Sequence, residues 1–166
     1  MRVLVTGAAG FIGSHTAELL VKQRHQVLAV DNFSTGRTEN LKDFKGHISP
    51  ADVTDKKMLE KIFYDFLPDA VLHLAAQAAI TTSMEDPGFD AKVNTLGTIN
   101  VLEMCRKYKA GKIVFSSTSA VYSTKPAILP MNESWEKSPD SPYGMSKLAA
   151  EYYVRSQLRH PVGRVR

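Results

Sequence analysis

The chain has 166 residues, enough for one domain with its own hydrophobic core. It is 43% hydrophobic and 23% charged, as ordinary soluble domains are, and no apolar run reaches the length of a membrane span, so no membrane partner is expected. The net charge of +4 comes from dispersed Lys and Arg that are not interleaved with stacking aromatics, so no nucleic-acid partner is expected, and a mild positive field suits a small anionic substrate.

The single cysteine, Cys105, excludes an internal disulfide and a cysteine metal cluster, and no metal site is expected. A lone thiol reads as a buried helix residue in a protein of the reducing cytoplasm. No internal repeat is visible. The apolar run at the N-terminus breaks at Gly7, with no longer apolar region or cleavage site after it, and reads as a strand rather than a leader.

In chain order, Val3 to Val5 predicts a first strand and Phe11 to Arg24 a helix, with Ile12, Leu19 and Leu20 at helical spacing. Val27 to Val30 predicts a second strand, and Ile48 to Val53 a weak third one blurred by Pro50. Lys56 to Phe66 is helical with Asp55 near its start, and Ala70 to Leu74 is a fourth strand. A long helix is expected over Asp90 to Tyr108, with Gly111 placed to cap it, followed by a strand over Lys112 to Phe115. The prolines between 123 and 142 predict a loop, and Tyr143 to Arg159 a final helix. Strands that are apolar throughout and alternate with helices imply a doubly wound α/β fold, a parallel sheet covered on both faces.

Chemistry concentrates in three places. Gly7, Gly10 and Gly13 follow the first strand and open the first helix. The first glycine permits the tight turn, the second lets the backbone approach a pyrophosphate, and the third lets helix and strand pack closely. The helix N-terminus then offers unpaired N–H groups to phosphates. Asp31 ends the second strand, where a carboxylate accepts from ribose hydroxyls and repels a 2′-phosphate, so NAD is expected over NADP. Arg37 in the next loop could serve a 2′-phosphate and tempers that preference, and Asp52 is placed to meet the adenine edge.

Tyr143 and Lys147 lie one helical turn apart on one face. A phenol with a pKa near ~10 is a poor base at neutral pH, and a neighbouring ammonium favours its phenolate. The pair can then remove a hydroxyl proton as hydride leaves the same carbon. The hydroxyls of Ser116 to Ser119 follow the fifth strand, where the ligand crevice of such a sheet lies, and one of them could bond the reacting oxygen.

Together these segments resemble the extended short-chain dehydrogenase/reductase family of NAD-dependent nucleotide-sugar epimerases and dehydratases, a Rossmann-type fold. The resemblance rests on Thr6 to Gly13, Asp31-Asn32, Asp52-Val53, His73 to Gln77, Asn94 with Gly97-Thr98, Ser116 to Thr118, and Tyr143 with Lys147, and it spans essentially the whole chain in order. It implies NAD as cofactor, with Tyr143, Lys147 and Thr118 catalytic. The cofactor would be held by Gly7, Gly10, Phe11, Ile12, Gly13, Asp31, Asn32, Asp52 and Val53. Leu74, Ala75, Ala76, Asn94 and Ser116 would complete the site with Tyr143 and Lys147. His73 reads as structural rather than catalytic.

Dehydratases of the family carry Asp-Glu directly after the catalytic Thr, and the related decarboxylases keep the Glu. Here Ser119 and Ala120 occupy those positions. The resemblance therefore implies an epimerase that oxidises and re-reduces C4 of a nucleotide sugar, a UDP-sugar first of all, with a homodimer as the assembly it allows. A dehydratase or reductase of the same family and a non-catalytic NAD-binding module remain open. Family members continue through a further strand, here from about Val162, into a C-terminal substrate lobe. Residues 1–166 are thus expected to form the NAD-binding domain without that lobe, to bind NAD weakly alone without sugar turnover, and to expose the last strand as an apolar edge.

Overall fold

The computed structural model describes residues 1–123 and 130–159. Five parallel strands stand in the order β3-β2-β1-β4-β5: β1 (Arg2–Thr6), β2 (Gln26–Asp31), β3 (His47–Pro50), β4 (Ala70–His73) and β5 (Lys112–Phe115). This is the doubly wound Rossmann-type order, and the chain reverses direction across the sheet between β1 and β4. Thr6 pairs with Val30 on one side and His73 on the other, and His73 pairs with Phe115. The carboxyl ends of the four inner and right-hand strands therefore form one rim.

The strands are apolar throughout because both faces are buried. Leu4, Leu28, Val30 and Val71 pack against Leu59 and Phe63 of α2 (Lys56–Phe66) and Val101 of α5 (Gly97–Lys107). The alternate side chains Val3, Val5, Val27 and Ala29 pack against Ala17 of α1 (Phe11–Lys22) and against Leu41 and Phe44. The two-residue strand period thus feeds two separate cores. Pro50 is tolerated because β3 is an edge strand, and beyond it Ala51 N donates to Asp31 O at 3.0 Å. β5 is the other edge among the described residues, with Val114 exposed. The expected strand from Val162 and Pro126 of the expected loop fall outside the described residues.

The expected helix Asp90 to Tyr108 is not continuous. It follows α3 (Ile80–Glu85) and divides into α4 (Pro87–Ala91), a π-helical turn (Lys92–Leu96) and α5. The π turn adds a residue to the helical repeat, and Asn94 and Thr98 both point inward, each hydrogen-bonded. Gly111 is not the cap. Lys109 takes the left-handed conformation (φ 58°), with Ala110 N donating to Cys105 O at 2.9 Å and Lys109 N to Arg106 O at 3.4 Å. Arg24 ends α1 in the same way (φ 65°), so at neither end did glycine mark the cap.

A buried relay ties the rim together. Thr98 Oγ1 donates to Asn94 O at 2.6 Å, so it accepts from His73 Nε2 at 3.0 Å. His73 Nδ1 is then the acceptor for the Thr6 hydroxyl at 2.7 Å, and Thr6 Oγ1 accepts in turn from Leu74 N (3.2 Å) and Ala75 N (3.3 Å). Every proton has one place, and a second proton on the imidazole would have none. Burial, and then the charge of Lys147, hold the His73 pKa down at about 3, from an ordinary 6.5. Both ring nitrogens of His73 are thus spent on hydrogen bonds within the protein.

An unfolded chain accepts this proton before the folded one does. The stability contributed by neutral His73 is therefore complete above pH 6.5 and is lost as pH falls toward about 3. Urea unfolding should lose roughly 1.4 kcal/mol per pH unit from this group between about pH 6 and about pH 4. His73→Gln should be less stable at neutral pH and lack that increment of slope. Equal slopes in the two proteins would show that the ring titrates normally.

Candidate active site

A cavity of about 620 Å³ opens at the carboxyl rim, where β1 and β4 part. The glycine turn forms its floor. Gly7 has φ 68°, and a Cβ there would lie 2.6 Å from Ala75 N, so the turn and the segment leaving β4 touch backbone to backbone. A Cβ on Gly13 would strike the Gly7 carbonyl, and one on Gly10 would press on the same oxygen at 3.3 Å. The first turn of α1 has no side-chain cap, which leaves its amides for a ligand. Phe11 is 78% exposed and Ile12 62%, an apolar lip with no protein cover.

Asp31 lines the cavity at the end of β2. Its Oδ2 accepts from Ala9 N and its Oδ1 from Phe33 N, each at 2.8 Å. The carboxylate thus braces the glycine turn, and each oxygen keeps a lone pair for a hydroxyl. Asn32 Nδ2 donates to Asp52 Oδ2 at 2.7 Å, and Thr54 N donates to Asp52 Oδ1 at 2.7 Å. Burial works against the Asp52 charge, but these bonds and Lys92 outweigh it and lower the pKa. Asn32, Asp52 and Val53 share the cavity wall with Leu74, Ala75, Ala76 and Ser116. The structure thus gathers the expected glycine turn, Phe11, Ile12 and all these residues around one space.

Four expected residues, Asn94, Thr118, Tyr143 and Lys147, lie outside the cavity lining. Asn94 is buried and turned into the protein: its Oδ1 accepts from Gln77 N at 2.8 Å, and its Nδ2 donates to Gln77 O (2.9 Å), Asp90 Oδ1 (3.0 Å) and Ser146 Oγ (3.2 Å). Its side chain clamps the segment after β4 instead of facing the cavity. Tyr143 and Lys147, on α6 (Pro142–Arg159), are outside the cavity lining. Gly144 lets that helix in, since a Cβ there would strike the Ala120 carbonyl. Lys147 Nζ lies 4.2 Å from the centroid of the Phe115 ring, which tilts against His73 at 5.8 Å. Burial brings the Lys147 pKa down to about 8, with Asp90 and Glu151 acting the other way.

The hydroxyls after β5 divide their work. Ser116 lines the cavity, and Ser117 Oγ donates to Glu151 Oε1 at 2.6 Å. Thr118 Oγ1 accepts from Ala120 N at 3.1 Å, capping a 3-10 turn over Ser119–Val121 while its own proton stays available. Sequence reasoning missed the cavity's outer wall: Ser34, Thr35 and Gly36 after β2, and Thr82 and Phe89 from the short helices. A run of small and hydroxyl residues directly after Asp31 was the available signal. Arg37 is exposed and holds the loop through Arg37 N to Ala9 O at 3.1 Å.

A parallel sheet in this order, with a glycine turn at its switch point and an acid closing the neighbouring strand, defines a dinucleotide-binding α/β protein. The chain belongs to the NAD dependent epimerase/dehydratase family, whose model matches residues 3–160. It is 41% identical over 159 residues to a UDP-glucose 4-epimerase of Mycolicibacterium smegmatis, covering 93% of this chain and 50% of that protein. Among solved structures it is similar to UDP-glucose 4-epimerase of Thermus thermophilus in complex with NAD (TM-score 0.91, 44% identity, 96% of this chain and 51% of that one). The Thermotoga maritima UDP-glucose 4-epimerase with UDP-glucose gives TM-score 0.92 at 39% identity, over 96% of this chain and 52% of that one. The chain spans about half the length of the curated relatives it matches.

Proposed function

We propose that this chain is the NAD-binding, dyad-bearing part of a nucleotide-sugar 4-epimerase that acts on a UDP-sugar. The observation that carries the reading is the single cavity that joins the uncapped α1 N-terminus, the Asp31 carboxylate and Ser116, with Lys147 and the Phe115 ring just past it. The residues present fit a dinucleotide. The glycine turn is a cradle that side chains would fill, Asp31 keeps lone pairs for ribose hydroxyls, and the apolar lip of Phe11 and Ile12 awaits cover. When bound, NAD supplies the acceptor and later the donor of hydride.

Tyr143 Oη takes the proton of the C4 hydroxyl during oxidation and returns it during reduction. Lys147 supplies a positive charge in a buried setting, where it acts more strongly than in water. The Thr118 hydroxyl, anchored as an acceptor by Ala120 N, keeps its proton to donate to the reacting oxygen. Ser119 and Ala120 carry no carboxyl, so nothing at those positions removes water from a keto sugar. A homodimer in the cytoplasm belongs to the same proposal: it would cover the exposed Tyr152 and Tyr153 of α6, and a chain whose one cysteine is a free thiol suits a reducing compartment.

Titration of the chain should give tighter binding of NAD than of NADP, and Asp31→Ser should narrow the gap by removing the charge that repels a 2′-phosphate. Equal or tighter NADP binding by the unmodified chain contradicts this role for Asp31.

The C-terminal half of a relative, fused after Arg166, should allow turnover of UDP-glucose to UDP-galactose without a 4-keto-6-deoxy product. Tyr143→Phe in that fusion should abolish turnover and leave NAD binding largely intact. Accumulation of the dehydrated product, or near-normal rates in Tyr143→Phe, sinks the epimerase assignment or the base assignment respectively.

A further inference from the structure

Asp90 in α4 is fully buried (0% exposed) at the meeting point of three segments. Its Oδ2 accepts from Ser146 Oγ of α6 at 2.5 Å. Its Oδ1 accepts from Asn94 Nδ2 of the π turn and from Gln77 Nε2 of the segment after β4, both at 3.0 Å. Among the described residues no cation forms an ion pair with it. These are neutral donors, and a carboxylate so placed keeps a field that water does not screen.

The residue after Ser146 is Lys147, itself 3% exposed. Its Nζ rests on the Phe115 ring, makes no hydrogen bond with the described residues, and so keeps some access to solvent at its tip. The groups facing it from the packed elements are few. His73 of β4 is held neutral, and Tyr143 lies one turn earlier on α6. Glu151 lies one turn later, anchored by Ser117 Oγ, by Lys137, and by Arg155 at 3.4 Å. Asp90, bonded to the residue before Lys147, and Glu151, one helical turn after it and shared with Lys137 and Arg155, are thus the carboxylates whose charge acts on the ammonium.

We propose that Asp90 and Glu151 are the counter-charges that keep Lys147 protonated inside the protein, and that Asp90 is a positioning residue that sets α6 against the segment after β4 at the same time. The inference takes Lys147 as the lysine of the dyad, and so rests on the function proposed above. The two claims separate experimentally, because the charge state of Lys147 is measurable without cofactor or substrate. A role in packing alone would hold α6 in place but leave that charge state unmoved. Hydrogen bonds from Asn94, Gln77 and Ser146 would survive in an amide at position 90 in part, whereas the field would vanish.

The test is a pH titration of the Lys147 13Cε resonance in the chain labelled at lysine, assigned by its loss in Lys147→Arg. The wild-type midpoint should lie near about 8. Asp90→Asn should lower it by roughly one pH unit, and Glu151→Gln should lower it by less. Ser146→Ala, which keeps the carboxylate, should move it less than Asp90→Asn does. If Asp90→Asn fails to fold by circular dichroism, Glu151→Gln decides: a lowered midpoint supports the proposal and an unchanged one overturns it. Unchanged midpoints in folded Asp90→Asn, or an equal shift in Ser146→Ala, also overturn it.

Discussion

A continuous path of buried hydrogen bonds runs from the end of β1 to the dyad helix, and the placement of the whole site depends on it. It begins at Thr6 Oγ1, passes through His73 to Thr98, reaches the Asn94 backbone, and continues from the Asn94 side chain to Asp90 and Ser146. Each bond contributes only about 0.5–1.5 kcal/mol net, but a member left unpaired in this interior costs about 1–3 kcal/mol. Among the described residues no buried side-chain polar atom lacks a partner. The path therefore works as a unit: it is stable when complete and costly when broken anywhere.

This constraint explains features that look unrelated in isolation. The π turn turns Asn94 and Thr98 toward the sheet, which lets one helix serve both His73 and Gln77. Thr6 holds Leu74 and Ala75 by their amides, and those residues meet Gly7 across the mouth of the cavity. The floor of the cavity and the helix carrying Tyr143 and Lys147 are therefore fixed to one another through polar groups, while the apolar cores on each face of the sheet supply the bulk of the burial. Pre-positioning of this kind is what a proton transfer coupled to hydride movement requires.

The sheet and the cavity were legible in the sequence because their signals are local. Apolar strands, three glycines in one turn and an acid at a strand end are each set by backbone geometry within a few residues. The broken helix was not legible, since its period looks regular across Lys92 to Leu96 and the cause of the break lies in contacts with Gln77 and Ser146, distant in sequence. Gly111 misled because Lys109 adopts the left-handed conformation despite its Cβ, held by the two closing bonds of the helix end. Asn94 was recognised but not its clamping of Gln77, and Asp90 was not singled out at all. A buried carboxylate whose partners are an amide, another amide and a hydroxyl has no spacing that a sequence displays.

On the proposed function, the glycine turn, the uncapped start of α1 and the segment after β4 are one dinucleotide site. Backbone amide chemical shifts of the chain, followed by 15N NMR during addition of NAD, test this most directly. The largest shifts are expected at Phe11, Ile12 and Gly13 and at Leu74 to Ala76, with Asn32 and Val53 following. Shifts confined to the exposed face of α2 and α5 around Glu60 and Lys107, or no saturable shifts at the glycine turn, would contradict it.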